Sequence, residues 1–258
     1  IMKVPILSEV KNEGIDPEYL FWIGCAGSFD ERSKKVTKAF VKILNKAGVS
    51  YAILGKEESC TGDPAKRAGN EFLFQMKAIN NIEILNSYNI KKIVTTCPHC
   101  FNTIKNEYPE LGGNYKVIHH TQLINELIKE GKIGVSGGYF KGKKITFHDP
   151  CYLGRANNVY NAPREVIKEL DSELVEMKSC KSKSLCCGAG GAQMFKEPEK
   201  GNKDINIKRS EEALKTKSEI IAVGCPFCNI MMSDGMKSME KDVTVLDVAQ
   251  MIEKAENL

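Results

Sequence analysis

Nine of the ten cysteines in this chain fall into one pattern that occurs twice. Cys25 is followed by Cys60 and then by Cys97-Pro98-His99-Cys100; Cys151 is followed by Cys186-Cys187-Gly188 and then by Cys225-Pro226-Phe227-Cys228. Cys60 lies 35 residues beyond Cys25, and Cys186 lies 35 beyond Cys151; the next intervals are 37 and 39. Such spacing marks a duplicated unit that gathers thiolates. Thiolates in this number serve iron–sulfur clusters or zinc.

The two sets differ in size. The second has five thiols, Cys151, Cys186, Cys187, Cys225 and Cys228, one more than zinc or a cubane cluster requires. Gly188, Gly190 and Gly191 follow the adjacent pair, so backbone amides can approach a sulfur there. In the first set Thr61 stands where the fifth cysteine would be, leaving Cys25, Cys60, Cys97 and Cys100. Four thiols fit a [4Fe–4S] cubane or a Zn²⁺ ion equally well by counting.

The elements that must position these thiols also repeat. Apolar runs at 19–24 and 144–150 lead into Cys25 and Cys151, those at 93–96 and 220–224 lead into Cys97 and Cys225, and those at 116–121 and 243–247 precede helical stretches. Val36, Ala39, Phe40, Ile43, Leu44 and Ala47 give one amphipathic helix, stopped by Gly48 before a strand at 50–54; Phe72, Met76, Ile79 and Ile82 predict the apolar face of another. Alternating strands and helices predict an α/β fold of two pseudo-symmetric repeats, each a small parallel sheet of about four strands flanked by helices. The repeats are expected at 1–131 and 144–258, joined by a glycine-rich linker at 132–143 that contains Gly134, Gly137, Gly138 and Gly142. Ligands of such sheets collect at the carboxyl ends of the strands, where distant cysteines become neighbours.

The chain has 258 residues, a 42% hydrophobic and 27% charged composition and a net charge of +4, with scattered lysines and no basic block interleaved with aromatics. Nucleic-acid binding is therefore not expected. No export signal is expected at Ile1-Met2-Lys3-Val4-Pro5, and no apolar run reaches the length of a membrane span. The expected location is the cytoplasm, where thiols stay reduced, with any membrane association through a partner.

The quoted motifs, together with His148-Asp149-Pro150-Cys151, resemble the cysteine-rich CCG family over residues 18–255. This is the duplicated domain of the B-type and D-type polypeptides of heterodisulfide reductase, found also in iron–sulfur subunits of glycolate and lactate oxidation. The resemblance implies a non-cubane [4Fe–4S] cluster on Cys151, Cys186, Cys187, Cys225 and Cys228. In the reductases two such clusters cleave a disulfide together, and Thr61 departs from that arrangement. The expectation is an iron–sulfur electron-transfer subunit of a multisubunit oxidoreductase, heterodisulfide-reductase-like, with thiol/disulfide chemistry at the second centre. The alternatives are a relay subunit of lactate or glycolate oxidation and a non-redox zinc-stabilised scaffold. No C-x₂-C-x₂-C-x₃-C run is present, so a ferredoxin-type iron–sulfur, flavin or membrane redox subunit is expected as partner.

His148 and Asp149 read either as proton donors beside a reducible centre or as strand-end caps. His99 reads as a neighbour of the ligands, one of His119 and His120 as core, and Arg67 and Arg155 as counter-charges to thiolates or as solvated arginines. Asp63-Pro64 reads as a helix start with Asp63 as cap, and Cys180 as a loop thiol.

Overall fold

A computed structural model describes residues 4–135, 138–197 and 200–258. Ile1, Met2 and Lys3, part of the segment read for an export signal, and Gly137 of the expected linker lie outside them. The first repeat runs α1 (Leu7–Asn12), β1 (Tyr19–Trp22), α2 (Gly24–Phe29), α3 (Glu31–Lys46), β2 (Tyr51–Ala52), α4 (Asp63–Arg67), α5 (Glu71–Ser87), β3 (Lys92–Thr95), α6 (Pro98–Asn102), β4 (Lys116–His119) and α7 (His120–Lys129). The second runs β5 (Lys144–Phe147), α8 (Asn161–Glu169), β6 (Glu173–Leu174), α9 (Ile205–Leu214), β7 (Ile220–Val223), α10 (Pro226–Ser238), β8 (Thr244–Asp247) and α11 (Val248–Ala255). Each repeat holds a four-stranded, wholly parallel sheet, in the orders β2-β1-β3-β4 and β6-β5-β7-β8. The two-repeat α/β architecture read from the sequence is the one observed.

The register is also duplicated. Phe21 pairs with Val94 as Phe147 pairs with Ala222, and these four side chains share one core cluster. The pleat turns the alternate residues Leu20, Trp22, Ile221 and Val223 into a second cluster, which contains Cys97, Cys100, Cys187, Cys225 and Cys228. Both clusters draw on both repeats, with α3 packed on α11 and α7 on α8.

The helix ends repeat with a change of chemistry. His119 and Asp247 each close a capping box, with Gln122 and Gln250 accepting from their backbone N–H groups. His120 Nε2 meets Asp247 Oδ1 at 2.8 Å, a buried contact that ties one repeat to the other.

Two expectations are corrected. Helix α5 forms, but Phe72, Met76 and Ile79 are exposed, and its buried face is Phe74, Ala78, Asn81, Ile82 and Leu85. The helix is apolar around most of its circumference, so spacing did not single out one face. Buried Asn81 belongs to the inner face because its amide donates to Cys60 O and Tyr108 Oη, both at 3.0 Å. The cap position of α4 is Gly62 rather than Asp63; the Asp63 carboxylate turns instead to His99 and Arg67.

Candidate metal centres

Strands β1 and β3 are neighbours whose outgoing connections diverge to opposite sides, and so are β5 and β7. Such a switch point opens a crevice at the carboxyl edge. Cys25 and Cys97 follow β1 and β3, Cys151 and Cys225 follow β5 and β7, and Cys60 and Cys186 arrive on the loops after β2 and β6. Cys97 and Cys225 stand at the start of α6 and α10, each before a proline in the first helical turn, which brings Cys100 and Cys228 onto the same end.

The structure brings together both thiol sets read from the sequence. In the first, Cys25 is hydrogen-bonded to Cys60 and Cys97 to Cys100, and all four line one cleft. In the second, an unbroken chain of sulfur contacts runs Cys151–Cys186–Cys187–Cys228–Cys225. Sharing of hydrogen bonds holds Cys60 down at about 6 through Cys25 and Cys97 down at about 7 through Cys100, while the same bonds, with burial, raise Cys25 and Cys100. Cys186 is lowered by its bonds to Cys151 and Cys187. Its Sγ also accepts from Gly188 N at 3.3 Å, and Cys60 Sγ accepts likewise from Gly62 N at 3.5 Å. Gly62 and Gly188 have φ of +89° and +96°, a conformation that favours glycine. At Gly24 a Cβ would come within 3.3 Å of Cys100 Sγ. Gly190 backs Cys151 and also donates to Cys186, whereas Gly191 serves as a left-handed turn.

His148 lies against the second set: a ring nitrogen and the Sγ atoms of Cys187 and Cys228 are within 4.8 Å of one another. Its Nδ1 accepts from Arg209 Nε at 3.0 Å. Arginine can only donate, so the proton of the neutral ring is on Nε2. Burial, with Arg209 beside it, lowers His148 to about 3. A metal-ligating histidine ordinarily donates its outer N–H to a carboxylate or carbonyl, which raises its basicity. His148 has the reverse arrangement: Arg209 occupies its Nδ1, and its Nε2 carries the proton. Asp149 has both oxygens held by Arg164, at 2.7 and 2.9 Å, and accepts from Lys181 N, a geometry that orders the ligand loop.

His99 joins the two sets. Its ring packs on Tyr152, beside Cys151, and on Phe227, the residue at its own position in the second motif, with centroids 4.6 and 5.2 Å away. Burial opposes its charge, but the Asp63 hydrogen bond and the Cys97 and Cys225 sulfurs outweigh it and raise His99 to about 9. Arg67 pairs with Asp63 and Glu107, and Arg155 donates to Ser184 O. Cys180 is half-buried and outside both chains of sulfur contacts.

Four residues escaped the sequence reading as parts of the site. Glu58 accepts from the backbone of Ile23 and Gly24, just before Cys25. Asn81 and Arg209 each lie 16 residues before the first cysteine of the Cys-Pro-x-Cys motif. Trp22 lies three residues before Cys25, as His148 lies three before Cys151. Their signal was the repeat offset, which only the cysteines made conspicuous.

The model of the cysteine-rich (CCG) domain matches residues 19–105 and 145–233. The chain belongs to this family. It is 46% identical to a probable iron–sulfur-binding oxidoreductase of Bacillus subtilis, over 97% of this chain and 36% of that protein. It is 45% identical to the EtfAB:quinone oxidoreductase of Syntrophomonas wolfei, over 94% of this chain and 35% of that protein. One polypeptide of the dihydromethanophenazine:CoB–CoM heterodisulfide reductase of Methanosarcina barkeri is 33% identical over 92% of this chain and 59% of that polypeptide. The chain thus spans about a third of the first two relatives. Among the described residues no helix is long and apolar enough to cross a membrane.

Proposed function

We propose that this chain is the iron–sulfur electron-transfer part of a multisubunit, heterodisulfide-reductase-like oxidoreductase. Residues 1–131 carry one centre and 144–258 the other, joined by 132–143. Cys151, Cys186, Cys187, Cys225 and Cys228 hold a non-cubane [4Fe–4S] cluster; Cys25, Cys60, Cys97 and Cys100 hold a [4Fe–4S] cubane, with Zn²⁺ as the alternative that four thiols also fit. When bound, such clusters take up and release electrons singly. The observation that carries this reading is the meeting of five thiols at one sheet edge, more than zinc accepts, with amide N–H groups turned to Cys186. The ring contact between His99 and Phe227, each inside its own Cys-Pro-x-Cys motif, supports short passage of electrons between the sets. The names of the relatives, an EtfAB:quinone oxidoreductase and a probable membrane-anchored ferredoxin among them, support a redox partner, which we take to be a flavin, ferredoxin-type iron–sulfur or membrane redox subunit.

Protein purified without oxygen is expected to be brown, with iron and acid-labile sulfide in equal amounts. Colourless protein with stoichiometric zinc would overturn the proposal in favour of the scaffold.

A further inference from the structure

Trp22 Nε1 is one of the few buried side-chain polar atoms with no hydrogen-bond partner among the described residues. Trp22 is fully buried, and its indole can only donate. A buried donor without an acceptor costs on the order of 1–3 kcal/mol, so an acceptor is called for. Trp22 ends β1 three residues before Cys25 and pairs with Thr95, two residues before Cys97. The pleat places it in the core cluster that holds Cys97 and Cys100.

The second repeat shows what this position does. His148 is the equivalent residue, three before Cys151, and its backbone N–H bonds to Ala222 O. Its ring lies against Cys187 and Cys228, with Nδ1 closed off by Arg209, which leaves Nε2–H as the only ring donor. Arg209 is itself fixed by Ser179 O, Ser184 Oγ and Glu212. Both repeats therefore place a ring N–H on the sulfur-bearing side of the second strand of the sheet.

We propose that Trp22 Nε1–H and His148 Nε2–H are matched donors to the sulfurs of the first and second centres, and that Arg209 is the positioning residue that fixes the His148 tautomer. The inference rests on the iron–sulfur reading above. Hydrogen bonds to cluster sulfur stabilise the reduced, more negative state and raise the reduction potential. No proton moves and no bond is broken; the rings set potentials.

The test is EPR-monitored redox titration of the anaerobic protein, with Trp22→Phe and His148→Phe. Trp22→Phe is expected to lower the midpoint potential of the first centre and leave the second unchanged; His148→Phe is expected to do the reverse. Arg209→Met is expected to lower the second midpoint while cluster content stays at the wild-type level. Wild-type protein carrying ¹⁵N-indole tryptophan should show a weak ¹⁵N coupling on the first signal, a readout that does not depend on any variant folding. ¹⁵N-histidine should give a weak coupling on the second signal, far smaller than that of a ligated nitrogen. Unmoved midpoints in both ring variants, or the absence of ¹⁵N-indole coupling at the first centre, would overturn the inference. Absence of any iron–sulfur signal from the wild-type protein would overturn the underlying functional reading instead.

Discussion

The two repeats share a backbone plan and differ in what fills it. Cys60-Thr61-Gly62 and Cys186-Cys187-Gly188 follow the same turn, but one presents a buried hydroxyl residue where the other presents a thiol. Trp22 answers to His148, Asn81 to Arg209, His99 to Phe227, and Glu58 to Ser184 two residues before the second cysteine. Conserving the frame while changing these few side chains gives two thiol sets of unequal size and surroundings. One repeat ties its ligand loop with a carboxylate, the other with a buried arginine network. Duplication supplied the geometry, and substitution within the crevice separated the roles.

The largest break in that comparison comes from the ligands. Cys100→Ser and Cys228→Ser are expected each to remove one centre and spare the other, read as iron and sulfide content of the anaerobic protein. Equal loss from both centres in either variant would mean that the two sets form one site.

Next come the residues that the repeats use identically. Phe21→Ala and Phe147→Ala open equivalent fully buried sites and should each cost about 3–5 kcal/mol in denaturant unfolding. Unequal costs would show that one repeat bears more of the shared core. Arg164→Met has no first-repeat equivalent among the ion pairs described. It strands the buried Asp149 carboxylate and should cost about 3–5 kcal/mol, affecting the second thiol set alone.

A smaller effect separates the two capping residues. Burial, reinforced by His120, holds His119 well below its ordinary value of 6.5, so the folded protein keeps it neutral. The unfolded chain protonates first on acidification. The stability from neutral His119 is therefore complete above about pH 6.5 and declines as pH falls below it. Urea midpoints between pH 7 and 5 should fall less steeply in His119→Gln than in the wild type; parallel slopes would remove His119 as the cause. Smallest of all, Phe72→Ser on the outer face of α5 should change stability by no more than about 0.5 kcal/mol, against several for Phe74→Ala on the inner face.

Much of this was legible in the sequence because the constraints were local and repeated. Short apolar runs ending in cysteine fix the strands, and parallel strands bring their carboxyl ends together, so both thiol sets followed from spacing. What escaped depends on contacts that spacing does not encode. Arg209 reaches His148 across 61 residues, and Asp63 finds His99 across 36 instead of capping its own helix. The inner face of α5 was hidden because Phe72, Met76 and Ile79 are as apolar as the residues that face the core. Its polar member, Asn81, is buried for its hydrogen bonds to Cys60 O and Tyr108 rather than for its hydrophobicity.

The central claim is that two unequal thiol sets hold two distinct iron–sulfur centres, the larger one depending on Cys187. The most direct measurement is EPR of the anaerobic protein beside Cys187→Ser and Thr61→Cys. Cys187→Ser should abolish the signal of the second centre and leave that of the first intact, and Thr61→Cys should give the first centre the signal of the second. A Cys187→Ser protein with an unaltered spectrum would contradict the account.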